Sequence, residues 1–158
     1  MTIQDMSPAA SEADDAPAGL SGLAQLRALA AAGGRPAMAA TLGFDFAEIE
    51  EGRVAFAGTP GPHLYNPLGT VHGGYAATLL DSACGCAVHS RLAPGQAYTT
   101  LEIKIAYHRA MTAETGLVRA EGTVISFGRR TAFAEARLTD ASGRVYATAT
   151  STLLIMSA

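Results

Sequence analysis

From Gly69 to Val88 the chain contains one Asp, Glu, Lys or Arg, and that residue is Asp81. The rest of the stretch is small or apolar, and it reads as one helix with the turn that leads into it. A helix that is apolar nearly all round must be buried on most of its faces, so other elements have to wrap it. A lone carboxylate in such a helix is costly, because loss of water disfavours its charged form. Something must offset that cost, and catalysis is one reason to keep such a group.

The flanking sequence supplies the wrapping. Phe44 to Glu50 alternates in part, Arg53 to Ala57 resumes after Glu51-Gly52, and the two read as a hairpin. Gly58 to Leu68 carries Pro60, Pro62 and Pro67 with Gly58, Gly61 and Asn66, so it is a loop. The helix is expected from about Val71 to Leu92, closed by Ala93-Pro94-Gly95. Four strand-like runs follow: Thr99 to Tyr107, Leu117 to Ser126, Thr131 to Thr139 and Val145 to Ile155. In the first, Leu101, Ile103 and Ile105 are expected to face one way and Glu102 and Lys104 the other. Period-two alternation dominates these runs, which implies an antiparallel sheet with one wetter face. Two strands, a long helix and four strands give an α+β chain whose single antiparallel sheet wraps a central helix. A short helix is expected at Leu20 to Ala32, capped by Ser21 and ended by Gly33-Gly34. Residues 1–19, rich in Ala, Ser, Pro and acids, are expected to form a disordered or weakly ordered tail before a domain of residues 20–158.

A chain of 158 residues suits one domain with a full core. A net charge of −3 offers no basic excess for phosphates, so no nucleic-acid partner is expected. Val71 to Val88 is the best candidate to cross a membrane, but His72, Asp81 and Ser82 interrupt it, and a buried core helix is the better reading. No basic segment followed by an apolar core marks a signal peptide, so a cytoplasmic location is expected. Cys84 and Cys86 point to different helix faces and read as small packing residues rather than a disulfide. His63, His72, His89 and His108 lack paired ligand spacing, so no metal or other cofactor is expected.

Gly73-Gly74 opens the helix. First-turn N–H groups have no intrahelical partner, and the helix dipole places partial positive charge there. Glycine lets a ligand approach that backbone, so the turn can hold a carbonyl oxygen as it gains negative charge. The same glycines would also let strands pass tightly over the helix. Asp81 shares a face with Gly74, Ala77, Thr78, Cys84 and Gly85. At about 1.5 Å rise per residue it lies ~12 Å from Gly73 of its own chain, too far for both to act on one thioester or ester carbon. If the two cooperate, the carboxylate comes from a second subunit's helix across a two-fold axis. Otherwise Asp81 caps a helix that starts at Ser82, or is satisfied by hydrogen bonds in the core. His72 can polarise a substrate or carry a proton, or can bond backbone at the helix start. Asn66 can donate to a carbonyl or simply form the turn before Pro67. A hydroxyl of Thr99 or Thr100 can hold water against a carboxylate. Gly128-Arg129-Arg130, in a turn between two strands, either binds phosphates or is solvated charge.

These motifs together resemble the hotdog-fold acyl-CoA thioesterases of the PaaI type, a group that includes the mammalian thioesterase superfamily member 2. The similarity spans roughly Gly43 to Ile155. It rests on Asn66 to Asp81 with its His-Gly-Gly, on the strand order, on the Gly-Arg-Arg turn and on the final Thr-Ala-Thr-Ser-Thr-Leu-Leu strand. The resemblance implies a homodimer with the active site at the interface, commonly paired into a dimer of dimers. It implies that the Gly73 N–H polarises the thioester carbonyl with Asn66 nearby. Asp81 of the partner chain would act as general base or nucleophile, Thr100 would orient water, and His72 would lie beside the site. Gly74, Thr99, Gly128, Arg129 and Arg130 would meet the CoA portion of an acyl-CoA substrate. Aryl or medium-chain acyl groups are mildly favoured. A non-catalytic acyl-CoA binder or sensor on the same fold, which would not need Asp81, remains the alternative.

Overall fold

The computed structural model describes residues 19–157. The tail expected over residues 1–19 lies outside them, apart from Gly19. Helix α1 (Gly22–Ala31) is capped as expected by Ser21, whose hydroxyl accepts from the Ala24 N–H at 3.4 Å. A second short helix, α2 (Ala37–Leu42), was not legible in the sequence and ends on Gly43 in the left-handed conformation. The strands β1 (Phe44–Glu50) and β2 (Arg53–Gly58) form the expected hairpin. Helix α3 (Gly73–His89) is shorter than expected at both ends, because His72 already caps it and the chain turns at Ser90. Strands β3 (Gln96–Tyr107), β4 (Val118–Phe127), β5 (Thr131–Asp140) and β6 (Val145–Ser157) complete the chain.

The six strands make one antiparallel sheet in the order β1-β2-β4-β5-β6-β3. It curls around α3, which packs against β2 through β6. This is the hotdog arrangement. Its inner face is paved with alanines, among them Ala120, Ala132, Ala134, Ala136, Ala147 and Ala149, all buried. Small residues on sheet and helix allow the two backbones to come close, and the closest approach of β4 falls at Gly122. A Cβ there would stand 2.3 Å from the Ala83 carbonyl. On the outer face Arg53 bridges Glu48, Glu50 and Glu121, and Arg119 bridges Glu48 and Glu121, so that charge roofs over the buried Ala55.

The expected facing of β3 needs one correction. Leu101 does not join Ile103 and Ile105 on the inner row. The register slips between Thr100 and Glu102, so that Leu101 and Glu102 together oppose Thr152. This β-bulge leaves Leu101 57% exposed and brings Thr100 onto the inner row instead. β3 is also a sheet edge: β6 lies on one side, and no described strand lies on the other. Its free N–H and C=O groups can template another strand. Among the described residues no helix is long and apolar enough to cross a membrane.

The Gly122 contact is testable. Gly122→Ala puts a methyl group into hydrogen-bonded helix backbone that cannot yield. The variant should lose at least about 2 kcal/mol of stability in urea denaturation at fixed protein concentration.

Candidate active site

α3 and β3 run side by side in opposite senses, and their contacts build the site. At the helix start the Tyr107 hydroxyl donates to the Gly73 carbonyl at 3.0 Å. Two turns along, the Thr100 hydroxyl donates to Asp81 Oδ1 at 3.2 Å. The bulge explains why Thr100 makes this bond and Thr99 does not: Thr100 pairs with the buried Leu153, whereas Thr99 pairs with Leu154 and turns outward. Asp81 is half-buried. Its Oδ2 has no hydrogen-bond partner among the described residues. Asp81 is therefore neither the cap of a new helix, since α3 continues through it to His89, nor sealed in the core.

The helix start divides its donors. His72 Nδ1 accepts from the Gly74 N–H at 2.8 Å, so His72 caps the helix with that ring nitrogen unprotonated. The Tyr75 N–H bonds the His72 carbonyl at 3.0 Å. The Gly73 N–H has no partner among the described residues, so it is the donor left for an incoming oxygen. Asn66 is occupied by its own turn. Its Oδ1 accepts from the Leu68 and Thr70 N–H groups at 2.9 and 3.3 Å, and its Nδ2 donates to the Thr70 hydroxyl at 3.0 Å. The turn thus holds Gly69 in the left-handed region, with a φ of +79°.

Gly128, Arg129 and Arg130 form the exposed turn between β4 and β5. Neither guanidinium makes an ion pair or hydrogen bond among the described residues. Thr131 lies in one ladder row with Leu154 and Thr99. The turn therefore sits at the Thr100 end of the sheet, two strand spacings or about 10 Å across from β3. Within one chain Thr100 and Asp81 come together. Gly73, His72 and Asn66 form a separate group, and the arginine turn a third. A hollow of about 630 Å³ on the outer face, lined by Lys104, Glu135 and Arg137 among others, is on the far side of the sheet from Asp81.

Two residues of the site escaped the sequence reading. Tyr98 and Tyr107 each rest on a glycine of α3, Gly85 and Gly73 respectively. The alternation of β3 already sets Tyr107 on the row of Ile103 and Ile105, whereas the unseen bulge concealed that Tyr98 faces the helix.

Cys84 is buried and Cys86 half-buried, and both are free thiols. Burial, and then the nearby Asp81 charge, pushes each thiol up to about 12. Such a thiol is only ~0.01% ionised at pH 8. The native chain should react with a disulfide thiol reagent at pH 8 at least about tenfold more slowly than the urea-unfolded chain. Equal rates would show that the helix does not shield these groups.

The wrapped helix, the glycine turn and the edge carboxylate define a hotdog-fold protein, and comparison with known proteins gives its family. The model of the thioesterase superfamily matches residues 68–147. A thioesterase family protein from Silicibacter pomeroyi superposes with a TM-score of 0.75 at 30% identity, over 86% of this chain and 99% of that one. The phenylacetic acid degradation protein PaaI from Thermus thermophilus, solved as a point mutant, gives a TM-score of 0.69 at 27% identity, over 75% and 98%. The 1,4-dihydroxy-2-naphthoyl-CoA hydrolase of Listeria monocytogenes is 28% identical over 100 residues, 63% of this chain and 80% of that protein. The chain belongs to the thioesterase superfamily, and it is a thioester hydrolase.

Proposed function

We propose that the chain hydrolyses acyl-CoA thioesters to a free acid and CoA, with aryl or medium-chain acyl groups as substrates. The observation that carries this reading is the Thr100 hydroxyl held on Asp81 Oδ1, with Oδ2 left free at the sheet edge. That oxygen can take a proton from water as the water oxygen attacks the thioester carbon. The carbonyl oxygen becomes an oxyanion and accepts from the Gly73 N–H of the second subunit. Collapse breaks the C–S bond, and CoA leaves as a thiolate that takes up the proton. Direct attack by Asp81 would instead give a mixed anhydride that water then opens.

Two subunits are needed because Asp81 and Gly73 of one helix are ~12 Å apart. The open edge of β3 supports antiparallel pairing of two sheets about a two-fold axis. Such pairing sets one chain's Gly73 end beside the other's Asp81. It also carries each Gly128-Arg129-Arg130 turn to the other chain's Tyr107 end, where free guanidiniums can meet CoA phosphates. The further association of such dimers in pairs is part of the same proposal. The curated hydrolase of a CoA thioester among the relatives supports the substrate class.

Asp81→Asn should lower kcat on the best substrate of an acyl-CoA panel by at least about 100-fold without loss of folding. Near-normal turnover in that variant removes Asp81 from the chemistry. A stable, fully active monomer in light scattering would contradict the shared site. Replacing both Arg129 and Arg130 by alanine should raise KM for acyl-CoA about tenfold while kcat changes little, since those contacts are the same in ground and transition states.

A further inference from the structure

α3 opens on two glycines, so no side chain of their own restrains the backbone that carries the Gly73 N–H. First-turn peptides also lack a preceding turn to take their N–H groups. Other groups hold them instead. The His72 carbonyl belongs to the peptide that bears the Gly73 N–H, and it accepts from the Tyr75 N–H at 3.0 Å. In the next peptide the Gly74 N–H donates to His72 Nδ1 at 2.8 Å, and the Gly73 carbonyl accepts from the Tyr107 hydroxyl at 3.0 Å. Of the polar groups on these two peptides, the Gly73 N–H alone has no partner among the described residues.

These restraints differ in what they tie together. His72 and Tyr75 are neighbours of Gly73 in sequence, so their bonds shape the turn but do not tie it to the sheet. Tyr107 belongs to β3. Its ring lies against Gly73, where a Cβ would stand 3.2 Å from the ring and 3.3 Å from the hydroxyl, so the missing side chain is what lets the phenol close on the backbone. Further back along the same strand, the Thr100 hydroxyl holds Asp81. One edge strand therefore holds both groups that α3 offers to the reaction, the donor through Tyr107 and the carboxylate through Thr100. In the shared site the two come from different chains, and their separation follows from how the two β3 edges pair. A donor bonded to its own β3 keeps that separation, whereas one held by its turn alone can drift from it, and small misplacements of reacting groups are costly.

We infer that Tyr107 is a positioning residue for the hydrolysis. Its hydroxyl holds the peptide beyond Gly73, so that the Gly73 N–H stays aimed at the oxyanion formed by attack from the Asp81 side of the second subunit. This role rests on the acyl-CoA reading above. Tyr107→Phe keeps the ring against Gly73 and removes only the hydroxyl. On the best acyl-CoA of the panel it should lower kcat about tenfold and hold KM within about twofold, the pattern of an interaction made chiefly in the transition state. A second measurement reads the donor directly. The same acyl-CoA, labelled with carbon-13 at its thioester carbonyl, is bound to Asp81→Asn, and its carbonyl stretch should lie at lower frequency than in water. Adding Tyr107→Phe should remove at least about half of that shift. An unchanged shift in the double variant overturns the role of Tyr107 whatever kcat does, and leaves the hydrolase reading intact. A raised KM with kcat kept would make Tyr107 a contact for CoA and also overturns it. The absence of any shift in Asp81→Asn alone removes the Gly73 donor, and the role of Tyr107 with it. A wild-type chain that releases no CoA from any thioester overturns the substrate reading itself.

Discussion

β4 crosses α3 at Gly122 with no room for a methyl group between strand and helix backbone. That approach is possible only because both surfaces are made of small residues: alanines on the inner sheet face, and Ala83, Cys84 and Ala87 on the helix. Dispersion forces over so short a separation, and the removal of apolar surface on nearly every side of α3, hold the helix in a fixed rotation and depth. The site depends on that rotation. Turning α3 by one residue, about 100°, would carry Asp81 away from Thr100 and under the sheet.

The same packing explains how a carboxylate survives in this helix. The sheet wraps α3 on the side of β4 and β5 but ends at β3, so the wrap is open along one edge. Asp81 lies at that margin, half-buried, with one oxygen accepting from Thr100 and the other free. The cost of its charge is thereby reduced by solvent and by one hydrogen bond rather than by an ion pair. An ion pair would stabilise the charged carboxylate but would also occupy the oxygen that, in the proposed reaction, takes a proton from water. The neighbouring thiols register the charge: Asp81 helps keep Cys84 and Cys86 protonated. Those cysteines are packing residues in a helix whose one acidic or basic side chain before His89 is Asp81.

Much of this was legible in the chain because it rests on local chemistry. Period-two alternation marks each strand, Ser21 marks the start of α1, and one charge in an apolar run marks Asp81. What was hidden rests on pairing between distant segments. The bulge at Leu101 has no local signature, since Thr99 to Tyr107 alternates cleanly without it; only the register with β6 reveals it. That one slip decides whether Thr99 or Thr100 reaches Asp81 and brings Tyr98 to the helix. The short α2 was hidden for another reason. Six residues of Ala, Met, Thr and Leu are too few to show a period, and its end is fixed by the left-handed Gly43. The functional role of Gly73-Gly74 was ambiguous in sequence because glycine serves close packing and ligand approach alike.

The glycines of this chain separate once their neighbours are known. Gly122 and Gly85 meet other elements of the fold, the helix backbone and the Tyr98 ring, so they are there for packing. At Gly74 an added Cβ would meet only its own neighbour's imidazole, the His72 ring that takes its N–H. Gly73 also meets another element, the Tyr107 ring, but it differs from Gly85 in its backbone. Tyr107 holds its carbonyl and the Tyr75 N–H holds the His72 carbonyl of the peptide that carries the Gly73 N–H, so that N–H is oriented yet left unpaired among the described residues. A donor that is oriented in advance and unspent suits an oxyanion, because no reorganisation is needed when charge develops. Thus His72 takes up the Gly74 N–H, and on the proposed reading the helix start offers the substrate one donor rather than two.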